Sequence, residues 1–399
     1  MIPYGRHCID DDDITAVIEV LRSDYLTSGP ETERFEIALA EYTDARYAIA
    51  CSSGTAALHL AAMALNLGPG QAAVVPAITF LATANAVRMT GAEVVFSDVD
   101  TETGLMRVED IEDALKRGRK AGYEIRAILP VHLNGQCVDI ENISAIAKHE
   151  GLSIITDASH AIGAEQYENG VLRPVGSGRL AQMTTFSFHP VKIIAMGEGG
   201  AITTDDYALA ERLRKLRNHG MIRDPMQFVY RDQAFDGEDI VHPWYYELHE
   251  PGLNYRASDI HCALGRSQLG KLKRFVDIRK KLVNRYDELI ASYAPLVRPV
   301  KKVTYGEPAW HLYPVFINFS EIGITRRNVM EFLNKEGIST QVHYLPVHRQ
   351  PYYRQRYGHS VLGGADEYYR SVLSLPLFVK MTYETQDKIC ELLGTALKN

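Results

Sequence analysis

The sequence predicts an α/β protein, with a large domain on a mostly parallel sheet at 1–250 and a smaller C-terminal α/β domain at 251–399. Two observations predict it. Short apolar runs alternate with amphipathic stretches through the first half of the chain, the pattern of βαβ units. Past an irregular, proline-bearing stretch, a second and smaller mixture of strands and helices follows.

Asp10 to Asp13 precede Ile14, Val17, Ile18 and Leu21. That spacing is one helical face, with acids at the end that the helix dipole favours. A second helix carries Phe35, Leu39 and Tyr42 on one face. The alternation then begins: strand Tyr47–Cys51, helix Thr55–Leu65, strand Ala73–Pro76, helix Thr79–Met89, strand Glu93–Phe96, helix Val108–Lys116. Strand Ile125–Val131, helix Ile140–His149 and strand Ser153–Asp157 continue it. Met183–Phe188 and Gly200–Thr204 read as strands too close for a helical crossover, so a hairpin or wide loop joins them. A helix follows from Asp206 to Arg217, and Met221–Gly252 is irregular, with Pro225, Gly237, Pro243 and Pro251. Two helices, Ser258–Leu272 and Phe275–Tyr293, lead to strand Leu312–Ile317 and helices Arg326–Glu336 and Tyr383–Leu397.

The 399 residues are 46% hydrophobic, enough for one large core or two unequal domains. A formal charge of −7 without a basic stripe argues against a nucleic-acid binder. The start, MIPYGRHCIDDDDI, has no basic region leading into an apolar run, and no run reaches membrane-spanning length. The odd, scattered cysteines Cys8, Cys51, Cys137, Cys262 and Cys390 suit a reducing cytoplasm, with neither a disulfide frame nor a metal site.

Four features bear on chemistry. Ser52-Ser53-Gly54-Thr55-Ala56 follows a strand and opens a helix, where free N–H groups and the dipole bind phosphate; it also fits an ordinary capped turn. Asp157 ends a strand, at the edge where open parallel sheets bind ligands. Its carboxylate suits a cationic ring nitrogen or, equally, a helix cap. His160, beside Ala158 and Ala161, reads as a packed histidine more than as a catalyst. Lys192 lies among apolar residues in Phe186-Ser187-Phe188-His189-Pro190-Val191-Lys192-Ile193-Ile194. Burial lowers a lysine's pKa and makes the amine nucleophilic enough for a Schiff base, unless the stem merely crosses the core with its head in water. Gly197-Glu198-Gly199-Gly200 is no dinucleotide fingerprint, because Ile202 stands where the third glycine would be. A phosphate cradle, an acid for a ring nitrogen and a buried lysine, in order on one α/β sheet, are the three needs of pyridoxal phosphate.

The lysine segment Ser187-Phe188-His189-Pro190-Val191-Lys192 with Gly197-Glu198-Gly199-Gly200 resembles that of the DegT/DnrJ/EryC1/StrS sugar aminotransferases. Leu26-Thr27-Ser28-Gly29-Pro30, Ser53–Leu58, Thr79–Asn85, Asp157–Ala161, Gly252–Arg256 and His311–Pro314 extend the likeness over nearly the whole chain. The resemblance implies a fold-type-I pyridoxal-phosphate enzyme. It implies that Lys192 binds the cofactor covalently and shuttles a proton, in a ping-pong exchange. Gly54 and Thr55 would hold the phosphate by their backbone, with the Ser187 hydroxyl. Phe80 would stack on the ring, Asp157 would bond its nitrogen and His160 would sit near its oxygen, where many relatives carry glutamine. Asn254 would reach the phosphate of a neighbouring subunit, making a homodimer with shared sites. Tyr4, Asp157–Gly163, His311–Pro314 and Gln341–Pro346 are similar to the aminotransferases of pseudaminic acid biosynthesis. That implies glutamate as amino donor, a UDP-linked 4-keto-6-deoxy N-acetyl sugar as acceptor, and substrate contacts from Tyr4, Tyr25, Thr27, His311, Tyr313 and His343.

Other readings are a sugar dehydratase, a non-enzymatic regulator and a desulfurase. The dehydratase branch carries histidine where this chain has Lys192. The chain has no helix-turn-helix or basic patch for a regulator, and no cysteine on an evident mobile loop for desulfuration.

Overall fold

The computed structural model describes residues 1–398. Helices α1 (Asp11–Leu21) and α2 (Pro30–Thr43) open the chain. A capping box closes the start of α1, with Asp10 and Asp13 each accepting from the other's backbone N–H. The alternation follows: β1 (Tyr47–Cys51), α3 (Gly54–Ala64), β2 (Gln71–Pro76), α4 (Leu81–Met89), β3 (Glu93–Ser97), α5 (Val108–Lys120), β4 (Glu124–Ile128), α6 (Ile140–Glu150) and β5 (Ser153–Asp157). A hairpin of β6 (Glu165–Glu168) and β7 (Val171–Pro174) comes next, absent from the sequence reading. Its turn is Asn169-Gly170, both at positive φ (53° and 75°), the dipeptide that two-residue hairpins favour. Then come β8 (Met183–Ser187), β9 (Gly200–Thr204) and α7 (Tyr207–Leu216).

Seven strands form one sheet in the order β1-β9-β8-β5-β4-β2-β3. All are parallel except β9, which runs antiparallel to both β1 and β8. Of the hairpin or wide loop expected between β8 and β9, the connection joins two antiparallel strands and is closed by the pair Ser187↔Gly200. The strands read as continuous apolar runs because helices cover both faces; Ala73, Val74, Val75, Ala127, Ile128 and Ile155 are fully buried.

Residues 221–252 are mostly irregular, as expected, with a small β10 (Met221–Ile222) and β11 (Glu247–Leu248) pair and a one-turn α8 (Arg231–Ala234). Helix α9 (Asp259–Leu269) lies past the expected boundary at residue 250, yet packs on α1 and α2. Helix α10 (Leu272–Ile290) leads to the C-terminal layer. There β12 (Val297–Pro299), β14 (Tyr313–Ile317) and β15 (Val372–Leu375) form an antiparallel sheet, while β13 (Gly306–Glu307) pairs with β6. Helices α11 (Phe319–Ile322), α12 (Arg326–Lys335), α13 (Pro351–Tyr357), α14 (Gly363–Ser371) and α15 (Tyr383–Ala396) complete it. Its own core gathers Leu282, Tyr286, Val315, Leu333, Ile389 and Leu393. Each such side chain, fully buried, contributes roughly 1.5–3 kcal/mol. Among the described residues no helix is long and apolar enough to cross a membrane.

Candidate active site

A cavity of about 510 Å³ opens at the carboxyl ends of the sheet strands, lined in part by Gly54, Thr55, Phe80, Asp157, His160 and Lys192. This is the edge where an open parallel sheet leaves a crevice.

One wall is the start of α3. Ser53 is its N-cap, and its hydroxyl accepts from the Ala56 N–H at 3.1 Å. The N–H groups of Gly54 and Thr55 have no partner among the described residues, as the first turn of a helix dictates. Two glycines allow the close packing behind them. A Cβ on Gly54 would stand 2.6 Å from Ser187 Cβ, and one on Gly200 would stand 2.3 Å from the Ser53 carbonyl oxygen. Ser187, at the end of β8, thus lies directly against the helix start and lines the cavity.

Asp157 ends β5 and is 4% exposed. Its Oδ2 accepts from Thr83 Oγ1 at 2.8 Å and its Oδ1 from the Ser159 N–H at 3.0 Å. Thr83 is held in turn by Thr79, hydroxyl to hydroxyl at 2.8 Å. No helix follows Asp157; residues 158–164 are turns, so the helix-cap alternative fails. Two bonds leave acceptor positions on the carboxylate for a further N–H.

Lys192 lies on the loop joining β8 to β9. Phe188 N–H donates to the Gly199 carbonyl at 2.9 Å and Met196 N–H to the Phe188 carbonyl at 2.8 Å, pinning the loop at its base. Ile193, Ile194, Ala195 and Met196 are buried, and the Lys192 N–H donates to the His189 carbonyl at 2.8 Å. The Lys192 amine has no hydrogen-bond partner among the described residues. Burial lowers its pKa to about 8, against the opposing pull of the Asp157 carboxylate. A large neutral fraction near pH 8 is what a nucleophilic amine needs.

The facing wall comes from far along the chain. Gln341, Val342, His343 and Tyr344 line it, with Tyr4 from the N-terminus. His343 Nδ1 pairs with Ser374 Oγ at 2.9 Å. Burial, aided by the Lys192 charge, pushes its pKa down to about 3, so it is neutral. The Tyr4 and His343 rings lie 5.7 Å apart. Phe80 is 56% exposed and offers the cavity a flat apolar face. His160 is buried; its Nδ1 accepts from the Asn134 N–H at 3.3 Å, and its Nε2 meets the Tyr344 hydroxyl at 3.1 Å. The sequence reading gave no role to Tyr344 or Thr83. Their signals were slight: Tyr344 falls inside the quoted Gln341–Pro346 motif, and Thr83 stands one helical turn beyond Thr79.

Five expected site residues lie outside the cavity. Tyr313 belongs to the C-terminal core: its ring stacks on Tyr286 at 4.6 Å, and its hydroxyl donates to Asp287 at 2.8 Å. Its strand is buried on both faces, and Tyr313 packs in that core and does not line the cavity, unlike the expected substrate contact. His311 sits behind His160, ring centroids 4.5 Å apart. Tyr25 is exposed, and Thr27 bridges to Ser258 at the surface. Asn254 is also exposed, in a bridge with Asn218.

The residues fit pyridoxal phosphate. The unpartnered N–H pair of α3 suits a dianion, the spare acceptors of Asp157 suit a pyridinium N–H, and the Phe80 face suits a flat ring. The low-pKa amine of Lys192 suits an aldehyde. They do not fit cysteine-based desulfuration. Cys51, Cys137 and Cys262 are buried, and burial holds each thiol at about 12, far from a thiolate.

Comparison with known proteins agrees. Residues 7–394 match the DegT/DnrJ/EryC1/StrS aminotransferase family. An uncharacterized protein of Methanocaldococcus jannaschii is 36% identical over 96% of this chain and 94% of its own. The spore coat polysaccharide biosynthesis protein SpsC of Bacillus subtilis is 34% identical over 100% and 97%. Among solved structures, Helicobacter pylori PseC, an aminotransferase involved in the biosynthesis of pseudoaminic acid, superposes with a TM-score of 0.86. It is 28% identical, covering 100% of this chain and 99% of that one. The fold is that of the fold-type-I pyridoxal-phosphate aminotransferases, and the cofactor is pyridoxal 5′-phosphate.

Proposed function

The chain belongs to the DegT/DnrJ/EryC1/StrS aminotransferase family, a sugar aminotransferase, and on that premise we propose its reaction. It transfers the amino group of glutamate to C4 of a nucleotide-linked 4-keto-6-deoxy N-acetyl sugar, in the cytoplasm, in pseudaminic acid biosynthesis. The likeness to PseC over the whole of both chains is the observation that carries the pathway reading. A second reading, another nucleotide-linked 3-keto or 4-keto sugar, is favoured by the likeness to SpsC, a protein of spore coat polysaccharide biosynthesis.

Bound pyridoxal phosphate supplies an electron sink for the carbon that loses its proton. The residues serve that chemistry as follows. Gly54 and Thr55 N–H groups, with the Ser187 hydroxyl, hold the phosphate at the positive end of α3. Asp157, locked by Thr83 and Ser159, keeps the ring nitrogen protonated by its charge. Lys192 Nζ would take the proton from the α-carbon of glutamate as base and give it back as acid on the far side of the transferred nitrogen. Tyr4 and His343 bind the sugar at the mouth, where neutral His343 accepts or donates without placing a charge beside Lys192. Asn254, exposed on one chain, completes the phosphate site of a second copy in a homodimer. The test is mass spectrometry of nucleotide 4-keto and 3-keto sugars incubated with enzyme and glutamate. An amino sugar formed from the 4-keto N-acetyl substrate supports the first reading; amination of another sugar alone supports the second. No amination of any would overturn both.

A further inference from the structure

His160 has already spent its one proton inside the protein. Its Nδ1 accepts from the Asn134 backbone N–H at 3.3 Å. That N–H is fixed, because Asn134 sits at φ 62° with its carbonyl held by the His311 N–H at 2.9 Å. Lys192, His343, His311 and Tyr344 face the ring, and the buried Arg279, near His311, donates to the carbonyls of Trp310, His311 and Leu377. Burial and the Lys192 charge hold His160 well below its ordinary pKa, so it is neutral. A neutral imidazole with an accepting Nδ1 carries its hydrogen on Nε2. That hydrogen goes to the Tyr344 oxygen, 3.1 Å away.

The Tyr344 hydroxyl must then point its own hydrogen elsewhere. No other protein group partners it among the described residues, and the side chain lines the cavity with Asp157 and Lys192. Its ring lies 6.1 Å from Phe80. Burial and the nearby Asp157 charge raise its pKa above the ordinary tyrosine range, so the donor stays protonated.

We propose that Tyr344 is the donor to the anionic ring oxygen of pyridoxal phosphate, with His160 as the positioning residue that turns its O–H toward the cavity. The expectation that His160 sits near that oxygen is kept, with Tyr344 interposed as the donor. The proposal rests on reading the cavity as the cofactor site, but not on the identity of the sugar.

The test has two readouts. In histidine-labelled protein without cofactor, 15N NMR reports the His160 tautomer; the resonance is identified by its displacement in Tyr344→Phe. The expected form carries hydrogen on Nε2; hydrogen on Nδ1 overturns the proposal, and the assignment is made independently by loss of the resonance in His160→Gln, so one stable variant of the two is enough. In the loaded enzyme, the yellow colour changes with pH. A donor to the ring oxygen favours the less protonated form, so Tyr344→Phe should raise the midpoint by on the order of one pH unit. His160→Leu, which frees the hydroxyl to rotate, should move it the same way by less. A Tyr344→Phe midpoint equal to wild type, with cofactor retained, overturns the assignment. Because glutamate alone completes the first half-reaction, failure to aminate a given sugar while the midpoint shifts would sink only the substrate reading.

Discussion

The cavity has two walls of unlike construction. The sheet-side wall is built at strand ends and a helix start, within a buried ladder; Gly54, Asp157 and Lys192 are each fixed by backbone bonds or by buried neighbours on both sides. The facing wall is an irregular segment, Gln341–Tyr344, laid against Ser374 and the N-terminal Tyr4. The difference teaches a division of labour. A wall that cannot shift suits a cofactor that never changes, whereas a wall made of loop suits a substrate that differs between relatives.

Substitution can break this division. The largest effect belongs to Lys192→Ala, which should lose turnover by on the order of 10⁵-fold while remaining folded. Borohydride reduction of the wild type followed by peptide mapping should place the cofactor on Lys192; a label on another lysine would overturn the assignment. Asp157→Asn should keep some cofactor and lose about 10²–10³-fold in rate, since an amide supplies no charge to the ring nitrogen. The same change removes the carboxylate that raises the lysine pKa, so the amine of cofactor-free protein should titrate lower than the wild type's value of about 8, read by pH-dependent amine labelling. Near-normal turnover would mean the carboxylate only braces Thr83.

Mixing two inactive variants decides whether the fixed wall is complete in one chain. Lys192→Ala and Asn254→Ala chains, each nearly inactive, should recover up to about a quarter of wild-type turnover when co-refolded at equal ratio, since half the dimers have one intact site. Heterodimers seen by mass without recovery would assign Asn254 to its own chain. On the variable wall, His343→Gln should raise KM for the sugar roughly tenfold and leave the glutamate half-reaction unchanged. Equal damage to both half-reactions would erase the proposed division. The smallest effect is Gly200→Ala. Its Cβ would meet the Ser53 carbonyl at 2.3 Å, so about 1–3 kcal/mol of stability should go, visible in chemical denaturation, with weaker cofactor binding.

Legibility in the sequence followed the same division. The sheet strands are readable because each is a short apolar run, and strand ends are where ligands gather, so Asp157 and Gly54 stand out in the sequence itself. Lys192 was readable because a lysine among apolar residues is unusual. The facing wall was readable only through the family resemblance, which named Tyr4 and His343 but gave Tyr344 no role, because no local period marks which side chains an irregular segment turns inward. Tyr313 misled because a motif records neighbours along the chain, while the alternation of a strand sent that side chain into a core. The β6–β7 hairpin was missed because its strands are short and half polar, although Asn169-Gly170 marked the turn.

The loop that carries Lys192 begins and ends on neighbouring rungs of one ladder, Ser187 opposite Gly200. Such a loop behaves as an interchangeable cassette. Its termini are held by the sheet, so the side chain at its tip can be exchanged without re-threading the fold. The type of reaction and the architecture are therefore separately heritable: one substitution at position 192 can retire the transferase chemistry while the pocket keeps its shape and its ligands. For an experimenter, that makes a Lys192 variant a silent receptor, with which the sugar substrate can be captured and identified.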